Sequence, residues 1–163
     1  MKKPISILLI IFLGIASHAQ LTSTVSCPDF NINILDGRIN VVTPAYTVDQ
    51  IKGQFPCYSS AEQESDSATC GGGVFFKDRD LYFYTRRNYV EIGPKFKGKL
   101  SLPLMGAPRT GLFKWLGNPA IKEAGWDAFT TSYGILILYY DKAGKVNKIR
   151  FSTESAATIK LCQ

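Results

Sequence analysis

Residues able to do acid–base or nucleophilic chemistry are few in this sequence. Its single histidine, His18, lies near the amino terminus, so the rest of the chain has none. Ser-His-Asp catalysis, Cys-His catalysis and histidine-ligated zinc are therefore excluded beyond that point. A Ser–Lys pair or a carboxylate pair such as Asp78 and Asp80 remains as an alternative. The surrounding "FKDRDLYF" is more typical of a solvated turn or strand edge.

The four cysteines and the glycine-rich stretch give no further sign of catalysis. The cysteines lack the CxxC spacing of metal or redox sites. The stretch "CGGGV" lacks the Lys-Ser/Thr of a phosphate-binding loop and is most simply a flexible loop end. We therefore predict no catalytic residue, no metal and no cofactor, and a protein that is not an enzyme.

The first 19 residues have the organisation of a secretory signal peptide. Lys2 and Lys3 precede an apolar run over residues 5–15, and small residues around Ala19 supply a cleavage site. We predict a secreted or periplasmic protein with no membrane span. Without residues 1–19 the chain has 144 residues, and 17 Lys and Arg stand against 13 acids, a net charge of +4. This charge is too mild to indicate nucleic acid as a partner.

An even number of cysteines in an exported chain indicates two disulfides. Three pairings are possible, and free buried thiols are the alternative. We favour Cys57–Cys70, which closes a short polar loop, together with Cys27–Cys162, which ties the two ends of the chain.

Turn and capping signals mark the first elements of the chain. "NINILDGRINVV" alternates apolar and polar residues around Asp36-Gly37, which predicts a β-hairpin with a type I′ turn. Thr47 and Gln50 have the spacing of a capping box. Apolar residues at helical spacing follow within residues 48–55, so we predict a short helix there.

A helix-then-strands order occurs twice. "TVDQIKGQFP" and "TGLFKWLGNP" predict two short helices, and each is followed by β-prone segments with a turn between them. At a constant offset of 57, Leu81 matches Leu138 and Ile92 matches Ile149. Chance similarity of two ordinary α+β segments is the alternative. In the second helix, we expect Phe113 and Trp115 to enter the core.

These patterns predict an α+β fold. Two tandem helix–antiparallel-sheet repeats share one sheet, and the helices pack on one face. The predicted boundaries are a signal peptide over 1–19, an N-terminal segment with the first strand of a hairpin over 20–38, repeat 1 over 39–94, and repeat 2 with a C-terminal tail over 95–163.

The order of elements resembles the β-lactamase-inhibitor-protein-like fold. The stretches that carry the resemblance are "TVDQIK", the pair Cys57 and Cys70, "LGNP" and "LYYDKAGKVNKIRF", within about residues 39–151. The second half departs from this pattern, because "AIKEAGWDAFTTSYG" has no cysteine pair. The resemblance implies that an exposed sheet face binds a partner protein, and related single units occur in lipoproteins of outer-membrane assembly.

Strand alternation assigns the faces of the predicted sheet. Leu81, Phe83, Leu138 and Tyr140 fall on one face, which we assign to the core, and the intervening tyrosines fall on the other. Between residues 77 and 114, nine Lys and Arg stand against three acids. The candidate binding residues are Tyr82, Tyr84, Arg86, Arg87, Tyr139, Lys148 and Arg150.

The sequence thus favours a non-catalytic protein-binding module, such as an inhibitor or immunity-type protein acting on an exported enzyme. Tyrosine and arginine are enriched at binding hot spots, and the basic residues suit an exported partner with an acidic patch. The structural alternative is that about half of these aromatic residues belong to the core and that the charged residues form a solvated rim. An envelope-assembly scaffold and a histidine-free secreted hydrolase are the functional alternatives.

Overall fold

A computed structural model of the chain describes residues 26–162, and the predicted signal peptide lies outside them. The described residues form two short helices, α1 (Val48–Gln54) and α2 (Phe113–Leu116). The strands are β1 (Asn31–Asn33), β2 (Arg38–Ile39), β3 (Ser60–Glu62), β4 (Gly73–Phe76), β5 (Leu81–Tyr84), β6 (Tyr89–Ile92), β7 (Lys99–Leu100), β8 (Ile121–Lys122), β9 (Trp126–Thr131), β10 (Gly134–Tyr140) and β11 (Val146–Ser152).

Eight of these strands form one antiparallel sheet in the order β3-β4-β5-β6-β11-β10-β9-β8. Each half of this sheet contains four strands that are consecutive in the chain and follow one helix. The halves meet where β6 pairs with β11. A smaller sheet has the order β2-β1-β7. The chain is α+β in the broad sense, but strands dominate, and β3, β8 and β9 form in segments where the sequence suggested none.

The two central hairpins pair their strands in matching registers. Leu81 lies opposite Ile92 in the β5–β6 hairpin, and Leu138 lies opposite Ile149 in the β10–β11 hairpin. Ile92 and Ile149 also face each other where the halves meet. The residues matched at an offset of 57 therefore occupy corresponding places in two hairpins.

Helix α1 forms as its capping residues predict. The Thr47 side chain accepts a hydrogen bond from the Gln50 amide, and the Gln50 side chain accepts one from the Thr47 amide. Val48, Ile51 and Phe55 are buried in the main core. This core lies between the inner face of the large sheet and a layer that contains α1 and the small sheet.

Helix α2 is short, as its sequence predicts, but it exposes one of the two residues expected in the core. It has four residues, lacks a side-chain cap and ends at Gly117, whose φ is +70°. Trp115 packs against the main core as expected, whereas Phe113 is 65% exposed. A helix of one turn presents only a narrow face to the core, and here Leu112 and Trp115 fill it.

The first hairpin is present, but its turn is longer than predicted. Residues 34–37 join β1 to β2, and of Asp36 and Gly37 only Gly37 has positive φ (+63°). A type I′ turn needs positive φ at both central residues. A Cβ at Gly37 would lie 2.6 Å from the Tyr133 ring, whose hydroxyl donates to the Ile34 carbonyl oxygen. Gly37 therefore serves close packing as well as the turn.

Both predicted disulfide pairings are wrong. The structure pairs Cys27 with Cys57 and Cys70 with Cys162. Strand β3 lies between Cys57 and Cys70 and pairs with β4. Because a strand keeps the residues before and after it apart, Cys57 lies at one end of β3 and Cys70 at the other. Separation along the chain, on which the prediction depended, does not reveal that intervening strand.

Candidate partner-binding face

The outer face of the large sheet carries an aromatic and charged surface between its two halves. Direct cross-strand partners share a face, so the strand registers define its members. One row runs from Phe75 through Tyr82 and Glu91 to Arg150, and a second joins Trp126, Tyr139 and Lys148. These side chains are half-buried. With Tyr84 they are called the tyrosine face: Phe75, Tyr82, Tyr84, Glu91, Trp126, Tyr139, Lys148 and Arg150.

A charged cluster fixes the centre of the tyrosine face. Arg150 Nε donates to Glu91 at 2.5 Å, and the two side chains are 11% and 16% exposed. The Arg150 guanidinium also donates to the Tyr139 hydroxyl at 3.0 Å and lies over the Tyr139 ring. Burial alone would lower the pKa of Arg150, but the Glu91 carboxylate outweighs it and raises that pKa. Lys148 lies over the same tyrosine ring, 4.5 Å from its centre.

Tyr82 and Tyr84 are also held in place. The Tyr82 hydroxyl donates to Asp80 at 3.1 Å. The Tyr84 ring stacks on Tyr89 at 4.5 Å and contacts Phe75 at 5.6 Å between ring centres. Burial, then the hydrogen bond to Asp80, raises the pKa of Tyr82. Burial is also the main cause that raises the pKa of Tyr84, and the nearby Glu91 carboxylate is the second. Both hydroxyls therefore stay protonated and able to donate at neutral pH.

The structure brings together five of the seven candidate binding residues, including Arg150. It places the other two, Arg86 and Arg87, elsewhere. Arg86 and Arg87 belong to a short turn between β5 and β6. Arg86 pairs at the surface with Asp66, 2.5 Å away. Arg87 donates to the carbonyl oxygens of Cys70, Lys160 and Leu161. Arg87 therefore anchors the end of the chain.

That last segment, residues 153–162, crosses the outer face beside the tyrosine face and is called the strap. Ile159 and Leu161 pack against a small core of Ala128, Ile135 and Ile137. The Cys162 amide donates to the Tyr89 hydroxyl at 3.3 Å, and the disulfide to Cys70 closes the strap. The sequence alone predicts only a C-terminal tail for these residues. The apolar residues at positions 159 and 161 are the signal that could have indicated it.

A second polar cluster, missed from the sequence, lies on the inner side of β9. Asp127 is only 3% exposed, and its carboxylate accepts hydrogen bonds from two nitrogens of the Arg109 guanidinium. The Tyr140 hydroxyl donates to the same carboxylate at 2.6 Å. Burial first, and then Asp127, raises the pKa of Tyr140. Both oxygens of the Asp127 carboxylate are therefore occupied, so Asp127 is not free to act as a base. The cluster instead links Arg109, in the segment just before α2, to the large sheet.

The carboxylates considered for catalysis are engaged locally. Asp80 accepts from the Tyr82 hydroxyl and the Lys95 amide, and Asp78 pairs with Arg79. Within residues 26–162 no group of three or more metal-binding side chains lies together. In the same range, no helix has the length and apolar character needed to cross a bilayer.

Comparisons with known proteins add no assignment. The chain matches no protein-family model, no curated protein and no solved structure.

Proposed function

We propose that this chain is a secreted or periplasmic, non-catalytic module that binds another exported protein through the tyrosine face. The observation that carries the proposal is the grouping of Tyr82, Tyr84 and Tyr139 on one accessible face, each held by a ring or hydrogen-bond contact. Aromatic side chains that are already ordered lose little conformational entropy on binding. Tyrosine is also among the residues enriched at hot spots.

The proposal includes a tandem architecture of the β-lactamase-inhibitor-protein-like kind. Its support is that each half of the large sheet follows a helix and contributes four consecutive strands. The matching registers of the two central hairpins add to that support. In such an arrangement the outer sheet face is the partner-binding surface, and an inhibitor or immunity-type role against an exported enzyme would use it.

Two disulfides within the described residues fit a protein that folds in an oxidising compartment. They support the proposed location outside the cytoplasm, where an exported partner would be met.

The test is affinity capture from envelope and culture-medium fractions, followed by a binding titration with the captured protein. The variant combines Tyr82→Ala, Tyr84→Ala and Tyr139→Ala. Because each hot-spot tyrosine contributes about 1 kcal/mol or more, we expect the triple variant to bind at least about 100-fold more weakly. The matched control combines Tyr46→Ala and Tyr58→Ala, which are half-buried tyrosines near α1.

The control should bind like the wild type, provided that circular dichroism shows both variants folded. Equal binding by the triple variant and the wild type would show that the partner uses another surface. The identity of the captured protein distinguishes an inhibitor, whose partner is an enzyme, from an envelope-assembly scaffold.

A further inference from the structure

We infer that the tyrosine face is adjoined by a lysine-rich end of the sheet that meets an acidic surface on the partner protein. This inference rests on the proposed binding function and assigns the charge recognition to residues other than the arginines. The residues, called the lysine end, are Lys77, Lys95, Lys97, Lys142 and Lys145.

Three turns bring these lysines to one end of the large sheet. The β4–β5 turn and the segment after β6 are joined by hydrogen bonds from Gly93 to the Asp80 carbonyl and from Lys97 to the Arg79 carbonyl. Pairing of Ile92 with Ile149 sets the start of β11, and therefore the β10–β11 turn, at the same end. The outer two turns are separated by three strand spacings, roughly 14 Å. An acidic patch of ordinary size could contact all three turns.

The lysine end carries positive charge that the chain does not neutralise. All five lysines are exposed, and none lies within ion-pairing distance of a carboxylate among residues 26–162. The acids of the same turns are held by neighbouring groups, and Asp78 pairs with Arg79. Asp80 accepts from the Tyr82 hydroxyl and the Lys95 amide, and Asp141 accepts from the amides of Ala143 and Lys145.

Several arginines, by contrast, are paired with carboxylates of the chain. Arg150 is paired with Glu91, Arg109 with Asp127, and Arg86 with Asp66. At the other end of the sheet, acids accompany the cations. The cations there are Arg86, Arg87 and Lys160, and the acids are Glu62, Glu64, Asp66 and Glu154. Five cations without a carboxylate partner among residues 26–162 therefore lie together at the lysine end. Other cations of that kind, Arg38, Lys99, Lys114 and Lys122, are spread over separate elements.

This distribution favours an acidic protein over a phosphate-bearing partner. Arginine forms the bidentate bonds that suit phosphate, whereas lysine acts as a hydrated point charge. Four of the arginines already hold carboxylates of this chain. In addition, Asp80 lies at the lysine end and Glu91 at the centre of the tyrosine face, where they would repel a continuous phosphate backbone. Exposed lysines beside ordered tyrosines instead suit charge steering followed by aromatic contact.

The experiment measures binding of a fluorescent poly-glutamate peptide at low and physiological salt. The test variant changes Lys95, Lys97, Lys142 and Lys145 to Gln. A control variant with the same change in net charge replaces Arg38, Lys52, Lys114 and Lys160 with Gln. We expect the test variant to bind the peptide at least about tenfold more weakly at low salt and to lose most of the salt dependence. The control should change by less than about threefold.

Equal weakening in both variants would show that only net charge matters and would overturn the inference. Tighter binding of a DNA duplex or of phosphatidylglycerol vesicles than of the peptide would also overturn it. The tyrosine triple variant, measured in parallel, should keep its peptide affinity, because the lysine end is intact. Failure of the tyrosine proposal therefore appears in the capture experiment, and failure of the lysine inference appears in the peptide titration.

Discussion

The two faces of the eight-stranded sheet are built from alternating residues of the same strands, yet they are completed differently. On the inner face Leu81, Phe83 and Leu138 are fully buried against a layer of other elements. On the outer face Tyr82 and Tyr84 are only half-buried. There, hydrogen bonds, ring contacts and ion pairs take the place of a second apolar layer.

This difference separates the face that carries stability from the face proposed to bind a partner. Apolar burial is non-directional and contributes free energy in proportion to area, so the inner face can carry most of the stability. Polar pairs on a half-exposed face contribute little net free energy but fix the geometry. The side chains of the outer face are therefore held in place without a second apolar layer, and the strap covers part of that face.

The largest effect should come from cavities on the inner face. Leu81→Ala and Leu138→Ala are each expected to cost roughly 2–5 kcal/mol, because each removes a fully buried side chain. Tyr82→Ala is the neighbour on the outer face and should cost about 1 kcal/mol, for one hydrogen bond and partial packing. Urea unfolding of the three variants measures both values. If Tyr82→Ala costs as much as Leu81→Ala, the two faces are equally buried and the comparison fails.

Features of the two faces that depend on a few neighbouring residues could be predicted from the sequence. Alternation along "LYFY" separates buried Leu81 and Phe83 from half-buried tyrosines, and the structure has that separation. In "ILILYY" the four aliphatic residues are all buried, because the strap packs on Ile135 and Ile137, and Tyr140 is half-buried rather than fully in the core. The Thr47 capping box is likewise a property of four residues. The Glu91–Arg150 pair depends on β6 lying next to β11, and no local pattern contains that strand order. The disulfides and the Arg109–Asp127 pair were missed for the same reason.

The next effect should come from releasing the strap. Removing the Cys70–Cys162 link by changing both residues to Ala should cost roughly 2–4 kcal/mol, since the bridge closes a long loop. Hydrogen exchange should then increase in the strap and around Ile135 and Ile137, while the amides of β5 keep their protection.

A milder pair of variants checks the same point with the disulfide intact. Arg87→Gln removes the side-chain bonds to the Lys160 and Leu161 carbonyl oxygens, whereas Arg86→Gln removes only a surface ion pair. Faster exchange in the strap is expected for Arg87→Gln alone. Identical exchange in both variants would mean that Arg87 does not anchor the strap.

A smaller loss should follow from breaking the ion pair at the centre of the tyrosine face. Glu91→Ala leaves the Arg150 guanidinium, with a side chain that is 11% exposed, without its carboxylate. We expect a cost of roughly 1–3 kcal/mol, below that of a fully buried pair because water still reaches the site. Asp66→Ala is the control, because it breaks the exposed pair with Arg86 and should change stability by less than about 0.5 kcal/mol. Equal costs for the two variants would show that the outer face is as solvated as an ordinary surface.

The smallest effect at neutral pH should come from Tyr89→Phe, at the border between the strap and the tyrosine face. The ring stays and only the hydroxyl, an acceptor for the Cys162 amide, is lost, so we expect less than about 1 kcal/mol at pH 7. Alkali should distinguish the variant more clearly. Burial raises the pKa of Tyr89 from 10.0 to about 12.

An unfolded tyrosine therefore ionises from about pH 10, while folded Tyr89 stays protonated until about pH 12. The unfolded chain binds fewer protons in that window, so stability that is complete below pH 10 is lost as the pH rises to 12. Tyr89→Phe removes this contribution, and its unfolding free energy should fall less steeply between pH 10 and 12. Part of the slope should remain, because burial also raises the pKa of Tyr133 on the inner side. If the slopes of wild type and variant coincide, Tyr89 is open to hydroxide and the strap does not cover it.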